Sequence, residues 1–167
     1  FIEHYCKFIT DYGESLVELR EYQKKIILTA TDTEYNELKD LFVPKNRDII
    51  WLAARQCAKT TTLCSILVHK MVFNNSFNCA VMANKESTAT ELVNKITTTI
   101  KGLPFYMKPG SVNFGKTGLK FDNGSQLFSS ATTNTAQIGF TIHFMIFDEF
   151  AHIPTNIVNN FWRSVYP

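Results

Sequence analysis

Hydrophobic residues along this chain follow two different spacings. Short continuous apolar runs, which are typical of buried strands, occupy 48–53, 78–83 and 143–147. The stretches after the first two runs carry apolar residues every three or four positions, as on one face of a helix. Strands and helices that alternate at these lengths predict βαβ units, so the predicted fold class is α/β with a parallel sheet.

The two helices of this pattern have broad apolar faces. The first is predicted over 60–73, and the second is capped by Ser87 or Thr88 and closes at Gly102. Their predicted inward-facing residues are Leu63, Ile66, Leu67, Met71 and Val72 in the first helix, and Leu92, Val93, Ile96 and Ile100 in the second.

The region before the first apolar run has a weaker pattern. Residues 1–9 predict a short amphipathic helix, and helical spacing returns over 21–28. The polar segment 31–42 predicts a further helix, for which Asp32 or Thr33 is the cap. The N-terminal region is therefore expected to be helical.

The region after the second core helix changes to short alternating runs. Runs at 111–114 and 118–121 are followed by Asp-Asn-Gly at 122–124, a strong hairpin signal, and by a further run at 125–128. These segments predict antiparallel strands added at one edge of the parallel sheet. Helical spacing resumes over 156–165.

The composition describes one globular domain and excludes several classes. The chain has 167 residues, 45% of them apolar, and a net charge of +2. Its apolar runs are too short to span a membrane, and its four cysteines and four histidines form neither a C-x-x-C pair nor a ligand cluster. We therefore expect an intracellular protein with reduced thiols, no membrane association and no zinc site.

The stretch 48–62 carries the first candidate chemistry. A strand-like run breaks off into small residues, and Lys59-Thr60 opens the helical pattern. A phosphate-binding loop is built this way, because backbone N–H groups and the positive end of the helix dipole surround the phosphates. Lys59 is then predicted to reach the β- and γ-phosphates, and the Thr60 hydroxyl to hold Mg²⁺.

The glycine positions of the G-x-x-x-x-G-K-[ST] pattern hold alanine in this chain, at Ala53 and Ala58. Glycine serves there because it tolerates positive φ and lets the backbone approach phosphate closely. Alanine has a steric cost in a left-handed conformation. By itself, the pattern fits a phosphate loop and an ordinary strand–turn–helix equally well.

The segment 144–149 carries the second candidate chemistry. Four apolar residues followed by Asp148 and Glu149 are typical of a buried parallel strand that presents carboxylates at its C-terminal end. In a P-loop nucleotidase, Asp148 would hold Mg²⁺, partly through water, and Glu149 would polarise the attacking water. Alone, the segment also fits a strand that ends in a solvated acidic turn. Together and in this order, the two segments favour catalytic nucleotide binding.

A Tyr-Gln pair at 22–23 opens a predicted helix upstream of the phosphate-loop pattern. The Gln23 amide can offer one donor and one acceptor to N6 and N7 of adenine, which guanine would not satisfy. A solvent-facing glutamine fits the sequence equally well.

With these segments in place, the chain resembles the N-terminal ATPase domain of the large terminase subunit of tailed bacteriophages, especially its T4-like branch. The segments occur in the family's order at similar spacing, and the Arg-Gln-x-x-Lys-Thr form of the loop is distinctive. The matching segments are 19–23 (Leu-Arg-Glu-Tyr-Gln), 54–61 (Ala-Arg-Gln-Cys-Ala-Lys-Thr-Thr), 121–125 (Phe-Asp-Asn-Gly-Ser), Ser129-Ser130, and 145–151 (Met-Ile-Phe-Asp-Glu-Phe-Ala) followed by Ile153-Pro154.

The resemblance implies a P-loop NTPase fold of the RecA/ASCE-like type, with ATP and Mg²⁺ as cofactors. It implies catalytic roles for Lys59, for Glu149 as the group that activates water, and for Arg55, which would act on the γ-phosphate. The implied nucleotide-binding residues are Gln23, Arg55, Gln56, Cys57, Ala58, Lys59, Thr60 and Thr61, and the implied metal residues are Thr60 and Asp148.

The resemblance also implies an ATP-driven motor that translocates double-stranded DNA into a procapsid. Its partners would be the DNA, the portal protein, the small terminase subunit and further copies in a ring, in the cytoplasm of the infected host cell at the procapsid portal. The chain would be a truncated N-terminal domain, with a lead-in over 1–47 and a core over 48–167, and without the family's C-terminal nuclease domain. Candidate phosphate contacts to DNA are Lys85, Lys95, Lys101, Lys108, Lys116 and Lys120.

Two other functions are compatible with the same residues. The acid pair also suits the first motor domain of a DNA or RNA helicase. Because Ala58 replaces a loop glycine, a nucleotide-binding module with weak or no hydrolysis is the other alternative.

Overall fold

The chain forms a mixed α/β structure, in which helices pack on a central sheet. The computed structural model describes residues 1–10, 13–16, 18–36, 41–45, 48–54, 56–115, 118–131, 141–155 and 158–159. In chain order, the elements are α1 (Ile2–Tyr5), β1 (Lys7–Thr10), β2 (Gly13–Leu16), α2 (Glu21–Thr31), β3 (Thr33–Asn36), β4 (Leu41–Pro44), α3 (Lys59–Phe73), β5 (Asn78–Ala83), α4 (Glu86–Gly102), β6 (Ser111–Gly115), β7 (Gly118–Phe121), β8 (Gln126–Ala131) and β9 (Phe144–Asp148).

The central sheet has five strands in the order β6-β7-β8-β5-β9. Strands β8, β5 and β9 are parallel, whereas β6 and β7 add to β8 in antiparallel fashion. Ala83 at the end of β5 lies opposite both Ala131 and Asp148. The C-terminal ends of the parallel strands therefore share one edge, where open α/β sheets bind ligands. The prediction of a parallel sheet with antiparallel strands at one edge is confirmed.

The helices α3 and α4 supply most of the cover for this sheet. Helix α3 contacts α4 and β5, and α4 also contacts β5 and β8. The predicted inner side of α4 is fully buried, but the helix begins at Glu86, with Lys85 rather than Ser87 or Thr88 in the capping position. The buried core residues contributed by the two helices and β5 include Cys64, Leu67, Val68, Met71, Cys79, Val81, Leu92, Val93, Ile96 and Ile100.

The predicted strand over 48–53 is not formed. Residues 48–54 carry no regular secondary structure, and the central sheet of the described residues does not include them. The side chains of Ile50 and Leu52 are 88% and 90% exposed. A strand requires a neighbouring backbone to pair with, and an apolar run does not by itself supply one.

The predicted helix over 31–42 is also wrong, since its described residues from Thr33 onward belong to the strands β3 and β4, which pair antiparallel. The backbone N–H of Asp32 donates to the Leu28 carbonyl, so Asp32 closes α2 instead of opening another helix. Thr33 and Val43 are β-branched and suit the extended conformation that follows.

Of residues 1–9, which were predicted to be one helix, only Ile2–Tyr5 are helical, and β1 begins at Lys7. Cys6 and Phe8 are buried, whereas Lys7 between them is exposed. This alternation has the period of a strand, which overrides the helical spacing that the sequence suggested. The α2 helix is formed as predicted, and the predicted 156–165 helix lies almost wholly outside the described residues. No helix in the described part of the chain is long and apolar enough to cross a membrane.

The predicted turn between β7 and β8 is formed and is bonded to the end of α3. The Asn123 side-chain amide donates to the carbonyls of Met71 and Asn74, at 2.9 and 3.2 Å, and its oxygen accepts the Ser125 N–H at 2.9 Å. Gly124 has a φ of 80°, and a Cβ there would lie 2.7 Å from the Ser76 hydroxyl. The turn therefore fixes the antiparallel edge of the sheet to α3.

We predict that Asn123→Ala lowers the free energy of unfolding by about 2 kcal/mol, because it removes the side-chain partner of the Met71 carbonyl and of the Ser125 N–H and leaves the Asn74 carbonyl with the Ser125 hydroxyl alone. Urea unfolding followed by circular dichroism measures the effect. Asn75→Ala, at an exposed position in the same connection, is the matched control and is expected to change the value by less than about 0.5 kcal/mol. Equal effects of the two substitutions would contradict the structural role of Asn123.

Candidate functional site

The N-terminus of α3 meets the C-terminal end of β9 at the edge where the C-terminal ends of the parallel strands lie. The Thr60 hydroxyl donates to Asp148 Oδ2 at 3.2 Å. The Lys59 Nζ lies 3.9 Å from Asp148 Oδ1, within ion-pair distance. These contacts bring together two sequence motifs that lie 88 residues apart.

Asp148 is held on several sides at this junction. The residue is 6% exposed, and its Oδ1 also accepts the backbone N–H of Glu149 at 3.0 Å. A carboxylate that is removed from water needs such partners. A hydroxyl, an N–H group and a lysine ammonium supply them, and the two carboxylate oxygens retain lone pairs for a further ligand.

The turn that precedes α3 is strained. Gln56 and Ala58 have positive φ, at 60° and 53°, whereas Ala53 is outside the left-handed region. Ala58 is therefore a non-glycine residue in the conformation for which the phosphate-loop pattern normally supplies glycine, at a cost of roughly 1 to 2 kcal/mol. The Cys57 thiol donates to the Ala54 carbonyl at 2.9 Å, which closes the turn over three residues.

The helix end behind this turn has the chemistry of an anion site. Helix α3 is 15 residues long, and Ala58 at its N-cap position makes no side-chain hydrogen bond to the helix. The first N–H groups of a helix have no partner within it and carry a partial positive charge, to which the Lys59 ammonium adds a full one. The arrangement therefore suits a phosphate group.

The donor set beside this anion site suits Mg²⁺. Thr60 and Asp148 offer hydroxyl and carboxylate oxygens, the ligands that Mg²⁺ prefers. Among the described residues, no group of three His, Cys, Asp or Glu side chains could hold a metal ion. A metal at this edge would accordingly need oxygen ligands from a phosphate or from water, which is usual for Mg²⁺ in nucleotide sites.

Glu149 follows Asp148 directly and is a further residue of the site with a left-handed backbone. Its φ is 55°, it is exposed, and its carbonyl accepts the His152 N–H at 2.9 Å in the short 3₁₀ turn that follows β9. Non-glycine residues in this region of φ and ψ cluster at functional sites. The observation fits a functional role for Glu149.

The environment of Gln23 differs from that of a side-chain amide that is free to bond adenine. It is only 2% exposed. Its amide nitrogen donates to the Thr62 hydroxyl at 2.8 Å, and its amide oxygen accepts the Arg20 N–H at 2.9 Å. The described bonds of this amide therefore go to protein, and its contact with adenine stays a prediction.

The other predicted residues are distributed as follows. Gln56 is exposed, Thr61 lies in the first turn of α3, and Arg55 lies outside the described residues. Of the lysines considered for DNA, Lys95 pairs with Glu91 at 2.9 Å and the Lys101 ammonium lies 5.3 Å from the centre of the Phe114 ring. Lys85, Lys108 and Lys120 are exposed, and Lys116 is outside the described residues.

Sequence reasoning missed two contributors to the site. The Tyr22 hydroxyl donates to the Cys57 carbonyl at 2.8 Å, and the buried Thr62 hydroxyl donates to the Ala58 carbonyl at 3.0 Å. The Tyr-Gln pair was the available signal for the first contact. A threonine in the first turn of a helix carries no comparable signal, because its usual bond is to a backbone carbonyl one turn back.

The chain was compared with models of known protein families. The model described as "Terminase large subunit, T4likevirus-type, N-terminal" matches residues 50–165. The matched range includes the turn before α3, all of α3 and the acid pair at the end of β9.

We predict that Ala58→Gly raises the free energy of unfolding by about 0.5 to 1 kcal/mol, because glycine removes the steric cost of the left-handed conformation. Urea unfolding measures the change. Ala53→Gly is the matched control from the same motif, and since Ala53 is not left-handed, it should lose about 0.5 kcal/mol through the entropy of the unfolded chain. A loss of stability at both positions would contradict the strained geometry of Ala58.

Proposed function

The chain belongs to the T4-like type of large terminase subunits as their N-terminal domain, and on that premise we propose that it is the ATPase domain of a viral DNA-packaging motor. Membership of the family implies a role in packaging viral DNA. The proposed activity is Mg²⁺-dependent ATP hydrolysis that drives double-stranded DNA into a procapsid.

One observation carries this proposal: Lys59, Thr60 and Asp148 meet at the edge where α3 begins and β9 ends. A nucleotidase of the P-loop type requires a lysine, a hydroxyl and a carboxylate at such a position. The three parallel strands with α3 and α4 packed on them support a P-loop NTPase fold, in which these residues would have those roles.

The side chains at this edge would have different roles in binding Mg²⁺ and ATP. Lys59 would contact the β- and γ-phosphates, and the N–H groups that lead into α3, from Gln56 to Thr61, would surround them. Thr60 and Asp148 would hold Mg²⁺. The ion, when bound, neutralises charge on the phosphates and so favours transfer of the γ-phosphoryl group.

The catalytic steps would depend on residues beside this core. Glu149, exposed directly after Asp148, would orient and deprotonate the attacking water. Arg55 would add positive charge at the γ-phosphate as the phosphoryl group departs. Gln23 would lie on the adenine side of the site, at the start of α2.

The proposed partners follow from the packaging role. They are double-stranded DNA, the portal protein, the small terminase subunit and further copies of the chain in a ring, at the procapsid portal in the cytoplasm of the infected cell. The exposed lysines Lys85, Lys108 and Lys120 are the candidates for contact with DNA phosphates.

We predict that Lys59→Ala weakens binding of a fluorescent ATP analogue in the presence of Mg²⁺ by about tenfold or more, because the charge-assisted bonds to the phosphates are lost. A fluorescence titration measures the dissociation constant. Lys70→Ala, at the other end of α3, is the matched control and should leave the constant unchanged. Unchanged affinity in Lys59→Ala would refute the assignment of the phosphate site.

We predict that Glu149→Gln lowers the rate of ATP hydrolysis by about 10²-fold or more while nucleotide affinity stays within about twofold, because only the water-activating carboxylate is removed. Phosphate release measures the rate, and the same titration measures affinity. If the wild-type protein binds the analogue but shows no ATP hydrolysis for Glu149→Gln to abolish, the chain is a binding module. The proposed ATPase activity is then wrong.

A further inference from the structure

Helix α2 reaches the turn before α3 through two separate routes. Directly, the Tyr22 hydroxyl donates to the Cys57 carbonyl at 2.8 Å. Indirectly, the Gln23 amide donates to the Thr62 hydroxyl at 2.8 Å, and that hydroxyl donates to the Ala58 carbonyl at 3.0 Å. Both routes therefore end on carbonyls of the strained turn.

The two carbonyls belong to the two peptide groups that flank Ala58. Rotation about φ of Ala58 turns the peptide group that contains the Cys57 carbonyl, and rotation about ψ turns the group that contains the Ala58 carbonyl. The Tyr22 bond restrains φ of Ala58 at 53°. The ψ angle of 30° is restrained by α3, whose Thr62 N–H and hydroxyl both donate to the Ala58 carbonyl at 3.0 Å, and Gln23 of α2 supports this side by bonding the same hydroxyl.

The anchor of this restraint is itself well defined. The backbone N–H of Arg20 donates to the Gln23 amide oxygen at 2.9 Å, and the Gln23 N–H donates to the Arg20 carbonyl at 2.9 Å. Gln23 lies three residues after Arg20, the N-cap residue of α2, and this reciprocal pair of bonds fixes the start of the helix. Thr62 is fully buried, so the indirect route has no competition from water.

We propose that Tyr22 and Gln23 form a strut that holds a phosphate loop without glycine in its left-handed, nucleotide-binding conformation. Alanine prefers other conformations at this position, whereas glycine would adopt this one at little cost. The bonds of the strut favour the left-handed conformation from outside the loop, whereas a glycine in the loop would favour it by its own backbone freedom. Tyr22 and Gln23 are positioning residues in this account, and the nucleotide readout of the inference rests on the proposed function.

A double-mutant cycle on the 167-residue chain tests the strut, with Tyr22→Phe, Ala58→Gly and the combined variant. Tyr22→Phe removes only a hydroxyl from a side chain that is 38% exposed. We expect it to lower affinity for a fluorescent ATP analogue with Mg²⁺ by about three- to five-fold, since it removes one hydrogen bond from the competent loop. In the Ala58→Gly background, the same change is expected to cost less than about twofold, because glycine keeps the loop competent.

A second readout reports on the loop without any nucleotide. Burial raises the pKa of Cys6, Cys64 and Cys79 to about 12, whereas Cys57 in the loop is partly exposed. A thiol-reactive disulfide such as dithiobis(nitrobenzoate) will therefore modify Cys57 first in the folded protein. We expect Tyr22→Phe to raise the rate of this reaction by about three- to five-fold when alanine is kept in the loop, and by less than about twofold in the Ala58→Gly background.

The control is Tyr106→Phe, which removes the hydroxyl of another exposed tyrosine, in the short 3₁₀ turn at Phe105–Met107 rather than in α2. It should alter neither readout. Equal effects of Tyr22→Phe in both backgrounds, or an unchanged Cys57 rate, would overturn the strut. If the wild-type chain does not bind the ATP analogue, the proposed function fails, while the Cys57 rates still decide whether the strut holds the loop.

Discussion

The contact between Thr60 and Asp148 is the interaction on which the candidate site depends. It joins the first turn of α3 to the last residue of β9, and the Lys59 ammonium lies beside it. Because β9 pairs with β5, the position of Asp148 is set by the sheet, and the contact transfers that position to the helix end. The N-terminal end of α3, with its unpaired N–H groups, and the carboxylate consequently lie side by side, and we propose that one phosphate and one metal ion bind there together.

Two residues adjacent to this contact are held in left-handed conformations, Ala58 before α3 and Glu149 after β9. Strain of this kind persists only when the surrounding structure over-determines it. Around Ala58, the surrounding structure is identifiable, since Tyr22 of α2 bonds the peptide group before it, and Thr62 of α3, to which Gln23 of α2 donates, bonds the group after it. The absence of glycine from the loop therefore does not argue against phosphate binding, because a neighbouring helix can fix the same geometry.

The parts of the fold that could be predicted from sequence are those with strong local signals. The acid-ending strand β9, helices α3 and α4, and the Asp-Asn-Gly turn were all anticipated, as was the meeting of Lys59 and Thr60 with Asp148. The errors lie where the decisive contact is distant or absent. Ile50 and Leu52 were predicted to lie in a buried strand, but no described strand pairs with them. The polar 31–42 segment was predicted to be a helix, but its described part belongs to two paired strands. The contacts of Tyr22 and Thr62 depend on tertiary structure and could not be derived from spacing.

The central claim is that the Lys59 turn and Asp148 serve a single Mg²⁺–triphosphate. The most direct test is the gain in affinity for an ATP analogue on adding Mg²⁺, measured by titration with and without the ion in wild-type protein and in the isosteric variant Asp148→Asn. The account predicts that Mg²⁺ tightens binding to the wild type and that this gain is lost in the variant, while binding without Mg²⁺ is retained. An equal gain in both proteins would contradict it, because the metal would then be held without the carboxylate that the fold brings to the loop.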